Sequence, residues 1–315
     1  MYKAVLIGLG NISWKFDSEA GVSLSHLSSF FNNNQVDLVA GCDPQKSERE
    51  LFKSKHNIKT YLNYKTMIYE EKPDIVSICS PTKYHYEHLE FCIKNDIKMV
   101  WLEKPAVESC SQLNNLIRLN KTTKVVVNYQ RRYTSTYQKF KEVLDNLEYG
   151  KPKIVEVRYS RDLLTNGSHM IDMIFYILSI SKYELLWVEN DIKTNSPSFV
   201  IRDKRGFLII VSGSELPFHN IDFTITFNNK RVSILHNDID SKIEDMVEHE
   251  MYPDFYRLID SKSNFFDSII NKNCAFDSAL KDLINSYELT IEPKSSLSTA
   301  YKTHELIDKI LNFNL

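Results

Sequence analysis

Chemistry enters this chain at "GLGNIS", Gly8 to Ser13, where a β-rich run, "YKAVLIG", breaks on glycine. In a dinucleotide fold two glycines at this point allow a tight turn and let backbone N–H groups approach a pyrophosphate. A third small residue then lets the next helix pack close to the strand. Ser13 takes that third place, and Gly8, Gly10, Asn11 and Ile12 are candidate cofactor contacts. The chain has only eight glycines in 315 residues, so two in one short loop are informative. The next β-rich run ends at Asp43 in "GCDP", where a carboxylate would accept hydrogen bonds from both adenosine ribose hydroxyls and repel a 2′-phosphate. That favours NAD over NADP. Asp43 lies beyond the usual distance of about 20 residues from the loop, and the excess maps to "WKFDSEAGV", an insertion between the loop and its helix. A further group of charges stands in "WLEKPAV", where Pro105 ends a strand and leaves Glu103 and Lys104 at the sheet edge. Ligands of α/β proteins sit at such edges.

The elements that must position these residues follow a βαβ rhythm. Apolar runs at 2–8, 36–42, 74–80, 97–103 and 124–130 read as strands. The intervening "SLSHLSSFF", "YHYEHLEFCIKN" and "SCSQLNNLIRLN" carry helical spacing with serines placed as N-caps. Continuous apolar strands separated by helices imply a parallel sheet covered on both faces, a doubly wound Rossmann domain over residues 1–125. After about residue 125 one strand, "KIVEVRYS", precedes a helix near Ser168. Strands without intervening helices then follow at "ELLWVEN", "SFVIRD", "FLIIVSG", "IDFTITFNN" and "RVSILHN". This second domain, 126–315, reads as α+β with a mostly antiparallel sheet. Helices are expected to close the chain at "FYRLIDSKSNFFDSIIN", "FDSALKDLINSYELTI" and "SLSTAYKTHELIDKIL".

A net charge of −2 gives no global attraction for nucleic acid or an anionic membrane. The apolar run "MIDMIFYILSI" contains Asp172 and falls short of the roughly 20 residues of a membrane span, so it reads as a core helix. The start, "MYKAVLIGLG", carries no pattern of a signal peptide. The five cysteines show no paired metal spacing and read as reduced thiols of a cytoplasmic protein, with no metal site expected. The alternating strands "FLIIVSG" and "IDFTITF" leave one sheet face to be covered, which predicts a homodimer or homotetramer through that sheet.

In order, "GLGNIS", "LVAGCDP", "VSICSPTKYHYEHL", "WLEKPAV", "VNYQRRY", "GKPKIVEVRYS" and "NGSHMIDMI" resemble the glucose-fructose oxidoreductase, inositol dehydrogenase and MocA family, Gfo/Idh/MocA. The resemblance is strong through residue 180 and weak thereafter. It implies that Lys104 lies beside the nicotinamide, that its bond to Pro105 is cis, and that its ammonium stabilises charge developing on a substrate oxygen. It implies cofactor contacts at Ser80, Pro81, Thr82, His85, Glu103, Asn128 and Arg132, and makes His169 the acid/base that passes the hydroxyl proton. Asp172, one helical turn on, is the candidate to orient the His169 ring. The family places a carboxylate where this chain has Thr165. The implied activity is NAD-dependent hydride transfer at a secondary alcohol or ketone of a sugar derivative, and Arg158 and Arg161 raise an acidic or nucleotide-linked sugar. The alternative is a sensor or scaffold that binds dinucleotide and sugar without turnover.

Overall fold

A computed structural model describes residues 1–17, 23–189, 194–238, 240–261 and 275–313. The chain divides into two compact units, Met1–Thr134 with Lys272–His304, and Ser135–Asn271 with Glu305–Leu315. A boundary after residue 125 would cut a strand of the first unit's sheet, and that unit recovers a segment from near the C-terminus.

The first unit holds six strands: β1 (Tyr2–Ile7), β2 (Val36–Cys42), β3 (Lys59–Tyr61), β4 (Ile75–Ile78), β5 (Met99–Leu102) and β6 (Lys124–Val127). All pairings are parallel and the order is β3-β2-β1-β4-β5-β6. Order reverses between β1 and its neighbours β2 and β4, the switch point at which doubly wound sheets open a crevice. β4 and β5 are buried at every position, as strands covered on both faces must be. The helices between them are α1 (His26–Phe31), α2 (Lys46–His56), α3 (Tyr64–Glu71), α4 (His85–Lys94) and α5 (Cys110–Leu119). Serine capping holds where the sequence places it: Ser25 and Ser28 form a capping box on α1, and the Ser109 hydroxyl accepts from Gln112 N on α5. β3 escapes the sequence reading because three residues carry too little periodicity. Cys42, Cys79 and Cys92 are buried free thiols and Cys110 is half-buried. Cys274 lies outside the described residues.

The second unit begins with α6 (Ser135–Asp145), β7 (Ile154–Ser160) and α7 (Ser168–Ile177). There follow β8 (Tyr183–Val188), β9 (Phe199–Asp203), β10 (Leu208–Ser214), β11 (Asp222–Thr226), β12 (Lys230–Leu235), β13 (Asp240–Glu248) and β14 (Tyr256–Asp260). The sheet order is β14-β13-β12-β11-β7-β10-β9-β8, with β7 and β10 parallel and the other pairs antiparallel. Alternation turns Val155, Val157, Ile209, Val211, Phe223 and Ile225 into one core with α7. α7 is the buried core helix expected of "MIDMIFYILSI". A helix over 255–271 is not found in its described part: Tyr256–Asp260 pairs with β13 as an edge strand, and residues 262–271 lie outside the described residues. β13 escapes the sequence reading because its alternation is largely charged.

α8 (Ala275–Glu288) lays Phe276, Ala279, Leu280, Leu283 and Ile284 on one face of the first unit's sheet, with Phe30 and Trp101. α9 (Leu297–Leu311) gives Leu297 and Ala300 to the first unit's core and Leu306, Ile307 and Ile310 to the second's. No described helix is long and apolar enough to cross a membrane.

Candidate dinucleotide site

The glycine loop follows β1, and its two glycines are needed for different reasons. Gly8 has φ +91°, and a Cβ there would stand 2.8 Å from the backbone of Cys79 and Ser80 at the end of β4. No side chain fits that approach. Gly10 has ordinary extended dihedrals, and a Cβ on it would meet no protein atom within 4 Å. Its bareness therefore serves open space, which is what a backbone cradle for pyrophosphate requires. Ser13, in the place of the third glycine, is fully buried and returns its hydroxyl to Gly10 O at 2.7 Å. Instead of a long α-helix the loop enters a single π turn, Asn11–Lys15, closed by Trp14 Nε1 on Leu9 O at 2.9 Å.

The space above the loop is a cavity of about 970 Å³ lined by Gly8, Gly10, Asn11, Ile12, Asp43 and Ser80 among others. Asp43 is nearly buried, and its carboxylate holds the loop together. Oδ2 accepts from Leu9 N at 2.9 Å and Oδ1 from Gln45 N at 2.8 Å. An ionised carboxylate offers about four acceptor sites, so these two bonds leave capacity for ribose hydroxyls. Pro81 also lines the cavity, whereas Thr82 and His85 are absent from its lining. The lining also includes the rings of Tyr64, Tyr84 and His88. The Tyr64 and His88 rings meet edge to face at 4.4 Å, and Ser80 Oγ lies 3.0 Å from His88 Nδ1. Burial is the main cause that depresses the His88 imidazole to about 4, so it is neutral at physiological pH. Burial and the Glu87 carboxylate, which accepts the Tyr64 hydroxyl at 2.7 Å, push the Tyr64 phenol up.

The strand-end segment after β5 carries the EKP residues, and the Lys104–Pro105 peptide is cis. Glu103 points back into the protein, as strand alternation requires. Its Oε1 lies 2.9 Å from His26 Nε2 and accepts from Asn128 Nδ2 at 2.5 Å. Burial alone would raise the Glu103 carboxyl, but the His26 and Asn128 hydrogen bonds and the Lys104 charge outweigh it and hold it low. Three residues expected as cofactor contacts have structural partners. Asn128 is fully buried on Glu103, and Arg132 is buried with Nη1 on Lys294 O at 2.8 Å. His85 is buried with Nε2 at 2.7 Å from Ser80 O and Nδ1 at 2.9 Å from Pro105 O. Asn128 and His85 meet acceptors that follow the ends of β4 and β5, whereas Arg132 meets a carbonyl of the segment between α8 and α9.

This loop, acid and sheet order coincide with a sequence match. Residues 2–130 fit the model of the GFO_IDH_MocA oxidoreductase family, NAD-binding Rossmann fold. Residues 2–130 are a Gfo/Idh/MocA domain. Among curated relatives, D-glucoside 3-dehydrogenase of Escherichia coli K12 is 25% identical over 198 residues, 56% of this chain and 54% of that protein. Myo-inositol 2-dehydrogenase of Thermotoga maritima is 27% identical over 135 residues, 40% of each. The chain thus spans about half the length of these relatives or less. A crystal structure of a dehydrogenase from Clostridium difficile, 20% identical, superposes with a TM-score of 0.77 over 99% of both chains, so both units share its fold.

Beyond the Gfo/Idh/MocA domain, the second unit places Thr165, His169 and Asp172 on consecutive turns. Residues Leu163–Gly167 form a π turn that runs into α7. Asp162 caps it, accepting Thr165 N and Thr165 Oγ1 at 2.7 Å each. The carboxylate nearest in sequence to Thr165 is thus Asp162, three residues earlier and bound to the threonine hydroxyl. His169 is half-buried and Asp172 is buried. Arg158 is exposed beside Asp222 at 4.0 Å, as a surface pair would be, and Arg161 is exposed with φ +69°. The residues that sequence reasoning missed are Tyr64, Tyr84 and His88. Tyr64 follows the undetected β3, and the "KYHYEH" run held the signal for the other two without saying which face each would take.

Proposed function

We propose that the chain is an NAD-dependent dehydrogenase acting on a CH–OH group of a sugar or cyclitol-like polyol. One observation carries the cofactor half of this reading: the bare face of Gly10 opens into a cavity bounded by Asp43 at the switch point of the sheet. Gly8, Gly10, Asn11 and Ile12 would hold the pyrophosphate, Asp43 the adenosine ribose, and Ser80 and Pro81 the side of the dinucleotide nearer β4. Bound NAD supplies a hydride acceptor. The Lys104 ammonium donates to the substrate oxygen and stabilises its developing negative charge. His169 takes the hydroxyl proton, with Asp172 behind it on the same helix. The carboxylate of Asp43 favours NAD, because a 2′-phosphate would place like charges together. Fluorescence titration with NADH and NADPH tests this: NADH is expected to bind more tightly, and equal or absent binding of both rejects the cofactor assignment. A panel of aldoses, glucosides and inositols, followed by NADH absorbance, tests the substrate class.

A second reading has its own observation. The hydroxyl of Thr165 is occupied by Asp162, so the motif carboxylate of the family is displaced. A protein that binds NADH and a polyol without turnover would fit this. The separating result is saturable polyol binding, by calorimetry, with no NADH formed.

The second unit's sheet supports self-association. Its outer face carries Val200, Leu208 and Ile210 beside a half-exposed Trp187. Toward β12–β14 the face turns charged, with Arg231 and Lys242 paired to Glu244. A homodimer through this face is the reading we favour.

A further inference from the structure

Residues 103–107 form the turn that carries Lys104, and three imidazoles from three different helices close on it. His26 starts α1 and sets Nε2 2.9 Å from Glu103 Oε1. His85 starts α4 and sets Nδ1 2.9 Å from Pro105 O. His304, on α9, sets Nε2 2.9 Å from Val107 O. Each partner on the turn is an acceptor, a carboxylate or a carbonyl oxygen, so a ring nitrogen holds it only when that nitrogen is the N–H donor. Oxygens also lie behind the rings, and a neutral imidazole has one N–H to give. Ser77 Oγ lies 2.7 Å from His26 Nδ1, Ser80 O lies 2.7 Å from His85 Nε2, and Ala300 O lies 3.0 Å from His304 Nδ1. Trp101 lies against the His26 ring at 3.9 Å. The three histidines are 0%, 1% and 3% exposed, so these bonds are shielded from water.

Strand-end loops usually leave their carbonyls to solvent. Here alternate residues of one turn, 103, 105 and 107, are each tied by a buried ring. Of the five residues only Lys104 is not buried. We propose that His26, His85 and His304 are positioning residues for Lys104, a cradle that fixes the turn so that its one outward side chain starts from a single backbone geometry. This inference rests on the reading of Lys104 as donor to the substrate oxygen, where a misplacement of about 1 Å can cost about a hundredfold in rate. The role needs no contact of the histidines with substrate or cofactor.

The test follows Lys104 directly. With carbon-13 at lysine Cε, the Lys104 signal is assigned by its loss in Lys104→Arg. It is expected to shift toward the exposed lysines in His26→Leu, His85→Leu and His304→Leu, and to return in the corresponding glutamine variants, whose amides can again donate. Lower melting temperatures with an unmoved Lys104 signal overturn the proposal. Should a leucine variant fail to fold, nitrogen-15 spectra of the wild-type imidazoles decide. Protons on His26 Nε2, His85 Nδ1 and His304 Nε2 are expected, and their absence overturns it. NADH binding by the same samples is scored separately: wild-type protein that does not bind NADH rejects the cofactor assignment, while the Lys104 signal still judges the cradle.

Discussion

Gly8 and Gly10 look alike in the sequence and should behave oppositely when changed to alanine. Gly8→Ala places a Cβ against the Cys79–Ser80 backbone at a positive φ. It should destabilise the fold by at least the ~1–3 kcal/mol of a strained dihedral, measurable by urea unfolding. Gly10→Ala meets nothing and should leave the unfolding midpoint near wild type while weakening NADH binding. Equal NADH affinity in Gly10→Ala would show that the cradle is not used. Asp43 joins two backbone N–H groups and, in our reading, the ribose. Asp43→Asn should weaken NADH binding about tenfold or more, given ~1.5–3 kcal/mol for hydrogen bonds to a charged group, and narrow the preference over NADPH. His88 supplies a pH signature. Its imidazole is held at about 4 against 6.5 in the unfolded chain, so the unfolded state takes up a proton that the folded state refuses. Its contribution is full above 6.5 and fades as the pH falls toward 4, on the order of 3 kcal/mol across that window. Unfolding free energies of wild type and His88→Gln should therefore converge as the pH is lowered through it. Parallel curves would refute the assignment.

At the scale of elements, the β1–loop–Asp43 unit was legible because its signals are local: a buried run, a break on glycine, a strand ending on an acid. The same holds for the serine caps of α1 and α5, and Ser25→Ala should cost about 1 kcal/mol by thermal unfolding. What failed was short or charged. β3 spans three residues, and β13 alternates polar residues that carry no hydrophobic period. Missing β3 hid Tyr64, one of the rings that line the cavity. His85, Asn128 and Arg132 had the right types for cofactor contacts and stood in the right stretches. Their direction follows the carbonyl and carboxylate acceptors they meet, on Glu103, Ser80, Pro105 and Lys294, most of them distant in sequence.

For the whole molecule, the first unit is discontinuous. α8 returns from the C-terminal region to cover Phe30 and Trp101. A fragment ending at residue 134 should therefore expose that face and aggregate, whereas the full chain should not; a soluble, cooperatively folding fragment would contradict the role given to α8. The second unit's sheet predicts a dimeric mass in light scattering, and a monomer at micromolar concentration would oppose the self-association we propose. The sequence by itself determined the doubly wound first sheet, the mostly antiparallel second sheet and the glycine loop with its acid, because burial periodicity and turn chemistry are written in adjacent residues. Only the tertiary structure decided that Gly10 faces open space, that Asp43 already serves two backbone donors, and that three histidines far apart in the chain converge on the Lys104 turn. Those facts depend on long-range packing, which brings together hydrogen-bond partners that no local pattern relates.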